Sequence, residues 1–102
     1  MIVINRFRVP AASQSAFRAQ ADAAVQLFET KPGLLSIDLV QNLDDQDLWS
    51  LVTRWENVGS YRRALGGYES KMTIVPLLSL SIDEPSAYDT AEEVGSNVPR
   101  MA

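Results

Sequence analysis

Trp55 and Tyr61 flank a short polar stretch, Glu56-Asn57-Val58-Gly59-Ser60, that joins a strand pattern to a helix pattern. Each side chain has a flat apolar body and one polar tip, an indole N–H or a phenol O–H. On either side of one turn, such a pair can wall a pocket for a flat organic ligand and donate hydrogen bonds to its oxygens. Asn5 is a third candidate. It interrupts a strand face that otherwise carries Val3 and Phe7. If that face is covered, the amide needs partners, which a pocket or the backbone across the sheet would supply. Asn5, Trp55 and Tyr61 are therefore the candidate catalytic set, three donors that could be aimed at charge developing on a bound aromatic. Phe7, Phe17, Phe28, Leu51, Tyr68 and Met72 are the candidate walls of a substrate pocket. For each there is a plainer role: Trp55 as a core residue closing a half-buried strand, Tyr61 as a packing ring with a wet hydroxyl, the others as core at helical or strand spacing. Trp49, close to a hairpin turn, reads as structural.

These residues must be positioned by regular elements. Met1 to Val9 alternates as a strand, with Val3, Asn5 and Phe7 on one face and Ile2, Ile4, Arg6 and Arg8 on the other; Pro10 ends it. Ser13 or Ser15 can cap a helix over Ala16 to Thr30, whose buried stripe is Phe17, Ala21, Ala24 and Phe28. Pro32 and Gly33 stop it. Leu34 to Asn42 reads as a second strand with Leu35, Ile37 and Leu39 on one face. Leu48 to Glu56 reads as a third, with Trp49, Leu51, Thr53 and Trp55 on one face. Asn57 is an N-cap for a helix to about Leu65, which Gly66-Gly67 ends. Tyr68, Met72 and Val75 fit a further turn or two of helix, stopped by Pro76. Leu77 to Asp83 then reads as a fourth strand. Asp38 is expected to pair with Arg6, Arg8 or Arg54, across strands or in the dimer. Arg62 and Arg63, beside Tyr61, could steer an anion, although adjacent helical arginines usually face solvent in different directions.

The predicted order is β-α-β-β-α-β, an α+β ferredoxin-like fold with a four-stranded antiparallel sheet and helices on one face. The other face needs cover, or it exposes an apolar patch. A second copy of the chain is the simplest cover, so a homodimer through the sheet face is expected. Residues 1–83 form this domain, and residues 84–102 read as an acidic, flexible tail.

Composition excludes whole classes of chemistry. The 102 residues contain no cysteine and no histidine. Disulfides, thiolate nucleophiles, Cys/His zinc sites, a Ser-His-Asp triad and a histidine haem ligand are all ruled out. No metal site is expected. Net charge is −4. From Asp83 onward five acids stand against one base, so the preceding part is neutral. There is no basic stripe for nucleic acid. No apolar run approaches the roughly 20 residues that span a bilayer. The chain opens directly on a strand pattern, without a secretory leader, so a cytoplasmic location is expected.

Four features in order resemble the antibiotic biosynthesis monooxygenase family of dimeric α/β barrels: the first strand Val3-Ile-Asn-Arg-Phe-Arg-Val9, the Pro32-Gly33 pair before the second strand, Val52-Thr-Arg-Trp-Glu56 closing the third, and Tyr61 in the helix that follows. The resemblance covers about residues 1–83. It implies a cofactor-independent monooxygenase that takes a small phenolic or polycyclic aromatic, of the anthrone or hydroquinone type, to a quinone with O2. In that branch a Trp ending the third strand and a Tyr early in the next helix line the pocket, as Trp55 and Tyr61 would. A haem-degrading branch combines an Asn on the first strand and a Trp on the third with a His. Asn5 and Trp55 match the first two, and the His has no counterpart. Two other uses of the fold stay open: a non-catalytic ligand-binding or structural dimer, and an isomerase or decarboxylase. No residue stands out as the proton acceptor, since strand alternation puts Glu56 on the face opposite Trp55.

Overall fold

The computed structural model describes residues 1–97. Strand β1 spans Ile2–Arg8, helix α1 Gln14–Phe28, strand β2 Leu34–Gln41, strand β3 Leu48–Trp55, helix α2 Val58–Ala64, helix α3 Tyr68–Leu78, strand β4 Ala87–Tyr88 and helix α4 Ala91–Asn97. The four strands form one sheet in the order β2-β3-β1-β4, and every neighbouring pair is antiparallel. The architecture is the expected α+β ferredoxin-like one, with α2 and α3 together as its second helical element.

The core lies between the sheet and the helices. Val3, Asn5 and Phe7 of β1 and Trp49, Leu51, Thr53 and Trp55 of β3 are buried, as strand alternation requires. Phe17, Ala21, Ala24 and Phe28 of α1 and Ile74 and Leu77 of α3 meet them. The other sheet face carries Ile2, Ile4 and Arg6 from β1 and Leu48, Ser50 and Val52 from β3, all half-buried. The start of α1 departs from the expectation of a serine cap. A 3-10 turn over Ala11–Ser13 leads into it, and Ser13 makes no side-chain cap hydrogen bond. The Gln14 amide instead reaches the carbonyl oxygens of Val9 and Gln46.

Three elements differ from the sequence pattern. In β2 the ladder to β3 is irregular between Leu34 and Ser36. The irregularity turns Leu35 outward, 64% exposed, and Leu34 packs on the core beside Ile37 and Leu39 in its place. Such a bulge re-aims side chains without breaking the sheet.

Pro76 does not stop α3; it lies inside it. A proline there removes one N–H and crowds the preceding turn. Ile74 and Leu77, both fully buried against the core, carry the helix across it, so tertiary burial overrides the local signal.

Leu77 to Asp83 is therefore not a strand. The fourth strand is Ala87–Tyr88, within the segment the sequence assigns to the tail, and it pairs with Ile2 and Val3. Two further bonds fasten this segment along β1, Ile4 N to Ser86 O at 2.7 Å and Ile82 N to Arg6 O at 2.8 Å. Arg6 grips Glu84 with two charge-assisted hydrogen bonds of 2.6 and 2.7 Å. Asp38, expected to hold an arginine across strands or in the dimer, pairs with none across the strands of one copy among the described residues. Arg6 takes Glu84 and Arg8 takes Asp45. The last part of the tail assignment, 98–102, lies outside the described residues.

Candidate functional site

The β3–α2 junction is built locally. Asn57 caps α2, its side-chain oxygen accepting from Ser60 N at 2.8 Å and from Ser60 Oγ at 3.0 Å. Gly33 packs against Ser60 from the chain just before β2, with φ at +89°. A Cβ at that position would collide with Ser60, so only glycine allows both the turn and the approach. Ser60 is buried, and α2 is thereby fixed at its first turn.

Tyr61, in that turn, points its ring at Trp55, with centroids 5.8 Å apart and planes 55° from parallel. Trp55 meets Phe28 edge-on at 5.9 Å. On its other side Tyr61 borders a cavity of about 400 Å³. Val58 and Arg62 of α2 form that wall with it. Ala87, Tyr88, Asp89 and Val94 form the opposite wall, and Met1 lies between. The Tyr61 hydroxyl has no hydrogen-bond partner among the described residues. Burial pushes its phenol above the ordinary value, which keeps it protonated as a donor near neutral pH. The Tyr88 hydroxyl donates to Pro85 O at 3.2 Å. Asp89 lies 3.6 Å from the Met1 amino nitrogen. A second, more polar space of about 520 Å³ shares Met1, Val58 and Asp89 and reaches Glu56 and Glu93.

The candidate residues do not all meet there. Tyr61 lines the cavity. Trp55 is 1% exposed, borders none of these spaces, and gives its indole N–H to Thr53 Oγ1 at 2.8 Å. Asn5 is 8% exposed, sits opposite Leu51 in the ladder, and its side-chain amide makes no hydrogen bond among the described residues. Phe7 and Phe17 border a different cavity, of about 330 Å³, at the other end of β1. Phe28 and Leu51 are core. Tyr68 and Met72 lie on the outer side of α3, 78% and 61% exposed, in a surface groove with Leu27. Trp49, read as structural, packs against Phe17 with ring planes 59° apart, under the Arg18 guanidinium; its buried indole N–H has no partner among the described residues.

Sequence reasoning did not place Arg62, Tyr88 or Asp89 in one site. The sequence assigns Arg62 and Arg63 the same candidate role, steering an anion beside Tyr61, and does not tell them apart. Tyr88 and Asp89 reach the cavity because β4 pairs with β1, which no local pattern announces. Among the described residues no group of three or more His, Cys, Asp or Glu is gathered as a metal site would need, and no helix is long and apolar enough to cross a membrane.

An antiparallel four-stranded sheet backed by helices, with an aromatic-walled cavity at the β3–α2 junction, defines a ferredoxin-like α+β domain. The sequence profile described as antibiotic biosynthesis monooxygenase matches residues 1–72. This chain belongs to that family. Solved structures agree on the fold. One is SnoaB from Streptomyces nogalater, described as a cofactor-independent oxygenase, with a TM-score of 0.69 at 22% identity over 88% of this chain and 94% of that one. Rv0793 from Mycobacterium tuberculosis gives 0.67 at 24% identity, over 88% and 96%. A conserved protein from Methanosarcina mazei Go1 gives 0.70 at 17% identity, over 84% of each. No curated protein sequence matches the chain.

Proposed function

We propose that this chain is a cofactor-independent monooxygenase that oxidises a small phenolic or polycyclic aromatic with O2 in the cavity beside Tyr61. The observation that carries the proposal is Tyr61, which lines a space of about 400 Å³ and whose protonated hydroxyl has no described protein partner. Such a volume suits a ligand of a few fused rings. Family membership and the fold shared with SnoaB support the reaction class.

The chemistry balances without an added reductant. At an anthrone-type methylene, two C–H bonds break and one C=O bond forms. The second oxygen atom leaves as water, and the substrate supplies all four electrons. The protein must hold the deprotonated ring, exclude water and place oxygen beside the reacting carbon. Tyr61 donates to the oxygen on which charge develops. Asp89, on the opposite wall, is the carboxylate placed to accept the substrate's proton, a role for which the sequence offered no candidate. Trp55 supports the Tyr61 ring from behind.

The half-buried apolar side chains of the open sheet face, Ile2, Ile4 and Val52, favour stacking of a second copy there, which would complete a dimeric barrel. Light scattering should give a dimer mass; a stable monomer refutes this assembly. Oxygen uptake and quinone formation are to be measured with anthrones and hydroquinones. Turnover that falls at least tenfold in Tyr61→Phe and Asp89→Asn supports the assignment. Absence of oxygen uptake across the panel refutes the activity.

A second reading, a non-catalytic ligand-binding dimer, is favoured by one observation. The indole N–H of Trp55 is already satisfied by Thr53, and Asn5 and Trp55 do not border the Tyr61 cavity. Binding of aromatics without oxygen uptake would select it.

A further inference from the structure

Two neighbouring arginines on α2 have different fates. The Arg63 guanidinium donates to Ser60 Oγ at 3.3 Å, the same hydroxyl that Asn57 holds. Arg62 borders the Tyr61 cavity, and its guanidinium has no hydrogen bond or ion pair with any described residue. Asp89 stands on the opposite wall, beside the Met1 amino nitrogen. Tyr61 and Tyr88 supply aromatic surface between them. The cavity thus combines aromatic surface with the unpartnered Arg62 cation from α2 and the Asp89 carboxylate, which has the Met1 ammonium beside it.

We propose that this cavity selects aromatic hydroxy-acids: a flat ring system whose carboxylate is held by Arg62, with a ring hydroxyl turned to Asp89. The inference rests on the pocket assigned under the proposed function and narrows its substrate class. A guanidinium matches a carboxylate with two parallel N–H···O bonds. The Met1 ammonium is already matched by Asp89, whereas Arg62 has no described partner; the carboxylate therefore goes to Arg62 and the ring hydroxyl donates to Asp89, which fixes one orientation. Arg62 is exposed, and water and salt compete for it. The carboxylate should therefore improve binding about tenfold, not a thousandfold.

The test uses the full chain and two probes, 6-hydroxy-2-naphthoate, whose carboxylate and hydroxyl lie at opposite ends of the ring system, and 2-naphthol, titrated by calorimetry at low salt. The naphthoate should bind about tenfold more tightly than the naphthol, and raised salt should shrink that ratio. Arg62→Gln should abolish the preference; Arg63→Gln should keep it. Equal affinities in the wild type, or a preference that survives Arg62→Gln, overturn the inference. If such a result comes with oxygen uptake on neutral phenols, the monooxygenase reading stands and only the substrate class falls. If neither probe binds, both the inference and the pocket assignment fall.

Discussion

Thr53→Val isolates the role of Trp55. Thr53 is 2% exposed and its Oγ1 accepts the indole N–H at 2.8 Å. Valine keeps the shape and removes the acceptor. Trp55 is 1% exposed, so its N–H cannot turn to water without moving the ring, which Phe28 and Tyr61 hold on two sides. A buried donor left without a partner costs about 1–3 kcal/mol. Taking about 2 kcal/mol, the folded-to-unfolded ratio falls roughly thirtyfold. For a domain of about 100 residues the melting temperature drops by about 8–16 °C. Urea unfolding followed by circular dichroism measures this, with all variants at one protein concentration because dimerisation would shift the midpoint. Trp55→Phe in the Thr53→Val background should then cost less than Trp55→Phe alone, since the orphaned donor is gone; the coupling should be about 1 kcal/mol. A Thr53→Val variant within about 0.5 kcal/mol of wild type would refute the reasoning, because so small a change is typical of sites without such a feature. It would mean that the indole N–H finds another acceptor within the core.

Two further outcomes follow from the same geometry. Gly33→Ala should destabilise by about 2–4 kcal/mol, combining a positive φ with a Cβ driven into buried Ser60. Making the change in a Ser60→Gly background should recover the steric part only, and equal urea midpoints for Gly33→Ala and wild type would contradict the packing. The second concerns acid. Its hydrogen bonds to Arg6 hold the Glu84 carboxyl below its ordinary value of 4.5. Because the folded value is the lower one, this contribution is present above about pH 4.5 and is lost as pH falls through the depressed folded value. The amides of Ile4 and Ile82, which bond across β1 and the segment before β4, should lose exchange protection over that acid range in the wild type. In Glu84→Gln their protection should be lower at neutral pH and flat with acid; an acid-independent wild type would remove the latch.

The sequence by itself determined what neighbouring residues can decide among themselves. The buried stripe of α1, the two faces of β1 and β3, the Asn57 cap and the glycine turn at Gly33 are all local periodicities or single-residue conformational demands. The aromatic junction of Trp55 and Tyr61 was legible for the same reason, and so was the exclusion of thiol and histidine chemistry and of Cys/His zinc sites.

Tertiary structure decided the rest. A two-residue strand such as Ala87–Tyr88 has no pattern of its own; it exists because the edge of β1 has free hydrogen-bonding groups. Pro76 is a stop signal in isolation, but burial of Ile74 and Leu77 outweighs it. The bulge in β2 exchanges Leu34 for Leu35 because β3 fixes the register. The site was divided in the same way. Its α2 wall follows from local sequence, whereas Tyr88 and Asp89 come from a segment that reads as a tail. Whether Trp55 offers its N–H to a ligand or to Thr53 depends on two side chains on one strand face, whose rotamers the surrounding packing selects.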